Sequence, residues 1–333
     1  MNAELTNIPK AQMHLHIEGA MRRGTYVELR RRREPGYCLE QSPWHLESYR
    51  FESLNHFLNT GSPKVIFTAD DYRRIAFELF QDLRAQNVIY TELSIASHGL
   101  PIGEVAHAIH DAWRAAVSND ELTFGTLVGL FRFDEPEEAA RMVREGIEAR
   151  KFGVVGVDLL AHETSGDSKK FQNTYAMARE AGLGLRAHAG EGAGPENVWD
   201  AVRDLGVTRI GHGTRAIEDP ELVRYLAANG IVLDMCPISN YRLRVVEKFE
   251  EHPIRRLFDA GVKITVSTDD PLFFNNRLTT ELSLLQDIFN FTTEDILQLT
   301  RNAIEGAFLP QAEKQRILQR WIDSQSASTH EVK

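Results

Sequence analysis

The 333-residue sequence carries 38 Lys and Arg against 48 Asp and Glu, a formal net charge of −10, with 42% hydrophobic residues. That balance supplies ample core for a globular fold and argues against general binding to nucleic-acid phosphates, which call for a basic surface. No run approaches the roughly 18–20 apolar residues that span a bilayer, Met1-Asn2-Ala3-Glu4-Leu5 does not resemble a secretory signal, and Cys38 and Cys236 cannot build a disulfide framework, so a cytoplasmic protein without membrane or nucleic-acid partners is expected.

Eight short β-branched or apolar runs recur, at residues 12–16, 88–94, 124–131, 154–160, 184–189, 209–211, 232–236 and 263–267. Amphipathic segments predicted as helices lie between most of them, at 104–117, 136–150, 171–181, 195–205, 220–228 and 253–260. Several open on Pro and close near Gly182, Gly206, Gly230 and Gly261, the residues that suit helix starts and C-caps. Alternating strand and helix implies parallel strands with right-handed crossovers. Eight such units favour an α/β fold closed as a (β/α)₈ TIM barrel, one domain over residues 1–333, with extra helices between strands one and two. Within that insertion, Arg30-Arg31-Arg32-Arg33 reads as the last turn of a helix over 25–33, with a contact for an anionic group as the alternative. Phe51, Leu54, Phe57 and Leu58 share one helical face, either plain core or an apolar wall over a pocket mouth. From about residue 323 a polar tail is expected to fray.

Four polar clusters fall at predicted strand ends, the face on which barrels carry their sites. His14 and His16 are two apart on strand one, so both imidazoles point to one side and can share a cation. His188-Ala189-Gly190-Glu191 closes strand five, and Gly190 allows a sharp turn that leaves Glu191 facing a substrate. His212 follows strand six between Gly211 and Gly213. Asp269-Asp270 follows strand eight, and two adjacent carboxylates near an apolar barrel call for a cation or hydrogen-bond donors. Singly, each cluster is compatible with a turn, a cap or a satisfied core residue. Together they supply nitrogen and oxygen ligands without thiolate, which suit zinc and are also open to iron, cobalt or manganese.

At this point the sequence resembles the adenosine deaminase family of metal-dependent amidohydrolases. The resemblance rests on Met13-His14-Leu15-His16-Ile17-Glu18-Gly19, His188-Ala189-Gly190-Glu191, Arg209-Ile210-Gly211-His212-Gly213-Thr214, Cys236-Pro237-Ile238-Ser239-Asn240 and Ser267-Thr268-Asp269-Asp270-Pro271. It implies one Zn²⁺ per chain on His14, His16, His188 and Asp269. Glu191 would protonate the purine ring at N1, His212 would orient the attacking hydroxide, Asp269 would sit among these catalytic groups as well as on the metal, and Asp270 would hold N7. The implied reaction is hydrolytic removal of the 6-amino group of a small-molecule purine, most simply adenosine or 2′-deoxyadenosine. The cysteine-ligated zinc deaminase architecture is excluded, because two isolated cysteines cannot supply its Cys-x-x-Cys pair.

Departures cluster where the rest of the substrate would bind. Ala161 and His162 replace Gly and an acidic residue of the family pattern, Ser94 replaces an Arg, and Glu18 stands where animal members carry an Asp that meets the ribose. Free adenine and the 5′-modified adenosines methylthioadenosine and aminodeoxyfutalosine therefore stand as alternative substrates. A two-metal hydrolase on the same barrel is disfavoured by the lack of Lys in strand four, and an inactive homologue by the completeness of the clusters.

Overall fold

The computed structural model describes residues 3–60, 65–118, 121–164 and 167–328. Its eight strands are β1 (Lys10–Gln12), β2 (Val88–Ile95), β3 (Thr123–Phe131), β4 (Val154–Leu160), β5 (Gly184–Ala189), β6 (Arg209–His212), β7 (Val232–Met235) and β8 (Lys263–Val266). They pair in sequence order, each parallel to the next. The barrel closes just past the ends of β8 and β1, where Leu15 and Asp269 form an isolated parallel bridge, with His16 N–H donating to Asp269 O at 3.0 Å and Asp269 N–H to His14 O at 3.1 Å. The expected (β/α)₈ TIM barrel is the observed fold.

The strands are buried along nearly their whole length, because helices cover the outer face while the interior is filled by side chains. That is why they read as continuous apolar runs. The four glycines expected at helix ends all adopt positive φ, between 64° and 82°. Helix Ala69–Arg84 starts on a reciprocal cap, with Thr68 Oγ1 accepting from Asp71 N–H and the Asp71 carboxylate accepting from Thr68 N–H.

Strand one differs from the reading of 12–16. It ends at Gln12, because Met13 and His14 give their N–H groups to the Ser267 hydroxyl, both at 3.0 Å, instead of to a ladder. The segment read as a helix over 195–205 is an α-helical turn, Pro195–Asp200, followed by a π-helical turn, Ala201–Leu205. The tail expected to fray from about 323 is helical as far as Ser328 (helix Gln311–Ser328), and residues 329–333 lie outside the described residues.

The insertion between β1 and β2 holds the expected helices, among them Arg23–Arg31, Leu54–Thr60 and Ala69–Arg84. The arginine run is satisfied by its surroundings. Arg30 pairs with Glu34, Arg31 donates to Tyr37 O, Arg32 pairs with Asp71 at 2.6 Å, and Arg33 lies over the Phe67 ring. Among the described residues no helix is long and apolar enough to cross a membrane.

Candidate active site

At the C-terminal mouth of the barrel a cavity of about 730 Å³ is lined by His16, Glu18, Ala161, His188, Glu191, His212, Asp269 and Asp270, with Leu54, Phe57 and Leu58 on one wall. Phe51 stands behind that wall, 2% exposed and packed edge-on against Phe57 and Phe274, so the stripe is divided between wall and core.

The imidazoles converge on one carboxylate oxygen. His14 Nε2 and His16 Nε2 each lie 3.2 Å from Asp269 Oδ1, and His16 Nε2 lies 3.2 Å from His188 Nε2. Their far nitrogens explain what the near ones offer. His188 Nδ1 is 3.2 Å from Asp158 Oδ1 and His14 Nδ1 is 3.3 Å from Asp234 O, both acceptors, so each proton sits on Nδ1 and each Nε2 presents a lone pair. The buried His14 Nε2 makes no hydrogen bond. Burial brings the His14 pKa down to about 4, which leaves that ring neutral. Burial acts the same way on His16, but the carboxylates of Asp270 and Asp269 outweigh it and raise its pKa to about 9. The unbonded His14 lone pair, 3.2 Å from the Asp269 oxygen, is repelled by it unless a cation lies between them, so this donor set fits a metal ion.

Distance alone also groups His212 with His14, His188 and Asp269, and His16 with Asp269 and Asp270. A hydrogen-bond chain sets His212 apart from the other three histidines. His252 Nδ1 accepts from Ile254 N–H, so its Nε2–H donates to Asn240 Oδ1 at 3.0 Å, which also accepts from the Thr214 hydroxyl. The Asn240 amide is thereby oriented to donate to His212 Nδ1 at 3.2 Å and to Glu191 Oε1 at 3.3 Å. His212 then carries its proton on Nε2, 3.4 Å from Glu191 Oε2 and 3.9 Å from Asp269 Oδ2. Burial, reinforced by the neighbouring His14, keeps His212 neutral with a pKa well below the usual histidine range.

The three acids differ in state. Burial disfavours ionising Asp269, but the close His14 and His16 imidazoles outweigh it and hold the pKa well below the usual range. The Ser239 hydroxyl donates to Asp269 Oδ2 at 2.6 Å, leaving Oδ1 toward the imidazoles. Burial and then the charge of Asp269 push both Glu191 and Asp270 well above the ordinary carboxylate range. The Asp270 carboxylate rests on Gly19, where a Cβ would meet Oδ1 at 1.8 Å.

Several positioning groups have no local signature. The Glu163 carboxylate accepts N–H bonds from Gly190 (2.6 Å), Glu191 (2.8 Å) and Gly192 (2.7 Å), clamping the loop that carries Glu191. Gly190 has φ +71°, as the turn requires. Arg132 donates to His188 O at 2.7 Å. Arg186 pairs with Asp158 and also donates to the Ser94 hydroxyl, both at 2.5 Å, so an arginine from β5 serves the carboxylate that orients His188, with Ser94 completing the network. The one advance sign was charge inside apolar strands, as at Arg186 and Arg209.

The adenosine deaminase family profile matches residues 9–324. The chain belongs to the adenosine deaminase family. Among its relatives in the family, an adenosine deaminase of Shewanella loihica is 33% identical over 324 residues, covering 94% of this chain and 98% of its own. An adenine deaminase of Sinorhizobium fredii is 34% identical over 320 residues, with 94% and 98% covered. The solved structure of an amidohydrolase from Burkholderia ambifaria with bound Zn superposes with a TM-score of 0.88 at 28% identity, covering 99% of this chain and 94% of that one.

Proposed function

We propose that the 6-aminopurine on which this hydrolytic deaminase acts is adenosine or 2′-deoxyadenosine, and that His14, His16, His188 and Asp269 hold one zinc ion per chain. The observation that carries the reading is the convergence of the His14, His16 and His188 imidazoles around Asp269, beside a buried Glu191 whose pKa burial raises. The zinc-bound amidohydrolase from Burkholderia ambifaria supports zinc as the metal. A zinc ion there supplies Lewis-acid activation of water, lowering its pKa to about 7.

The side chains supply the remaining chemistry. Glu191 gives its proton to purine N1, which draws electron density from C6. His212, fixed in one tautomer through Asn240, orients the water that attacks C6. Asp270 holds the base at N7. Attack on C6 and loss of the 6-amino group as ammonia leave a 6-oxopurine. The cavity of about 730 Å³ falls in the range that holds drug-sized ligands, more than a bare base fills, which favours a nucleoside over free adenine.

The test is a panel of adenosine, 2′-deoxyadenosine and adenine, followed by ammonia release and ultraviolet absorbance. Adenosine turnover at least about tenfold faster than adenine is expected. The reverse order would replace the nucleoside reading, and inactivity on all three would remove the deaminase assignment.

A further inference from the structure

Asn240 serves two groups of the site at once, donating from Nδ2 to His212 Nδ1 at 3.2 Å and to Glu191 Oε1 at 3.3 Å. Its backbone is held in place. Asn240 N–H donates to Cys236 O at 2.9 Å, and Asn240 O accepts from Val245 and Val246 N–H at 2.9 and 3.3 Å. What remains free is a half-turn of the amide, which would exchange Oδ1 and Nδ2. That turn would put an acceptor where His212 and Glu191 now meet a donor.

On its far side the amide meets the Thr214 hydroxyl at 2.9 Å and His252 Nε2 at 3.0 Å, both at Oδ1. The hydroxyl can rotate to donate or to accept, so it tolerates either setting of the amide. His252 does not. Its Nδ1 accepts from Ile254 N–H at 3.3 Å, and a backbone N–H has no acceptor role to switch to, so the ring proton sits on Nε2 and needs an oxygen opposite. Burial brings the His252 pKa down to about 3, which leaves the ring a single proton to place. A turned amide would set Nδ2–H against Nε2–H out of reach of water, since His252 is 3% exposed and Asn240 fully buried.

We infer that His252 is a positioning residue of this active site, deciding through Asn240 which nitrogen of His212 and which oxygen of Glu191 carry the protons. His252 lies between the turn Phe249–Glu251 and the helix Ile254–Asp259 and does not line the cavity, so it acts without touching substrate. With Asn240 donating to Nδ1, His212 keeps its proton on Nε2, the nitrogen 3.4 Å from Glu191 Oε2. With Asn240 donating to Oε1, that oxygen is the acceptor of the Glu191 carboxyl, and Oε2 holds the proton to be transferred. One backbone N–H, that of Ile254, thereby fixes three groups that could each be set two ways. The catalytic consequence rests on the deaminase reading; the setting of the protons does not.

The experiment uses the zinc-loaded full chain labelled with ¹⁵N in histidine, where the imidazole signals tell a protonated ring nitrogen from a bare one. His212→Asn identifies the His212 signals by their loss. His212 is expected to be protonated on Nε2 and bare on Nδ1, and a proton on Nδ1 instead would overturn the inference on the wild-type protein alone. Kinetics on adenosine are then measured for His252→Phe, which keeps a buried ring without the donor, and for His252→Gln, whose side-chain NH₂ can replace Nε2–H. His252→Phe is expected to lose about 10–100-fold in kcat, with KM and bound zinc nearly unchanged, and to lose the single His212 tautomer. His252→Gln is expected to recover most of both. Wild-type turnover in His252→Phe, or His252→Gln as impaired as His252→Phe, would reduce His252 to packing and overturn the role. Wild-type protein inactive on adenosine, 2′-deoxyadenosine and adenine would instead overturn the deaminase reading, with the nitrogen signals unaffected.

Discussion

Replacing Glu163 by alanine removes the carboxylate that accepts from Gly190, Glu191 and Gly192 N–H. The first two of these bonds are buried and the third is partly exposed, so water can recover only the last. Two buried N–H groups without acceptors cost about 1–3 kcal/mol each, or about 2–6 kcal/mol together. That is a large share of a typical stability of about 5–15 kcal/mol, so the loop will move to find other partners. A shift of about 1 Å at Glu191 lowers turnover on the order of a hundredfold. Glu163→Gln keeps one acceptor oxygen but sets an amide NH₂ against the remaining N–H groups, and falls between wild type and alanine. Glu163→Asp keeps the charge and restores part of the turnover. The assay is kcat on adenosine with bound zinc measured on the same samples, beside thermal unfolding. Wild-type turnover and melting temperature in Glu163→Ala would refute the clamp.

Two further outcomes follow from the buried acids. Glu191→Gln is expected to keep its zinc and lose about 10²–10⁴-fold in kcat, because it removes the proposed proton donor without touching the proposed ligands, and loss of metal in that variant would overturn the role. Glu281 is buried, accepts from Asn276 Nδ2 at 2.7 Å and Ile238 N–H at 3.2 Å, and is raised by burial from 4.5 to about 8. The native state therefore keeps a proton that the unfolded chain loses, and stability falls as pH rises from about 4.5 to about 8, then levels off, by up to about 5 kcal/mol. Glu281→Gln should flatten that slope in urea unfolding measured across the window, whereas a parallel slope in both proteins would contradict it.

The barrel was legible because its strands are buried on both faces: β4 and β5 have the bounds read from their apolar runs. β1 was over-read because a single hydroxyl, that of Ser267, takes the N–H groups that would have extended it, and this partner lies at the far end of the chain. The histidines and the tandem aspartates were visible because rare polar residues recur at strand ends. Glu163, Arg132, Arg186 and His252 were not, since each acts through backbone or side-chain atoms brought near only by barrel closure.

The central claim is a single zinc ion serving a purine deaminase at this cluster. Chelator-stripped protein titrated with zinc, with adenosine conversion to inosine and ammonia followed at each addition, tests it most directly. Activity should rise from near zero in proportion to added metal and saturate at one zinc per chain. Full activity without metal, or saturation only at two ions, would contradict the account.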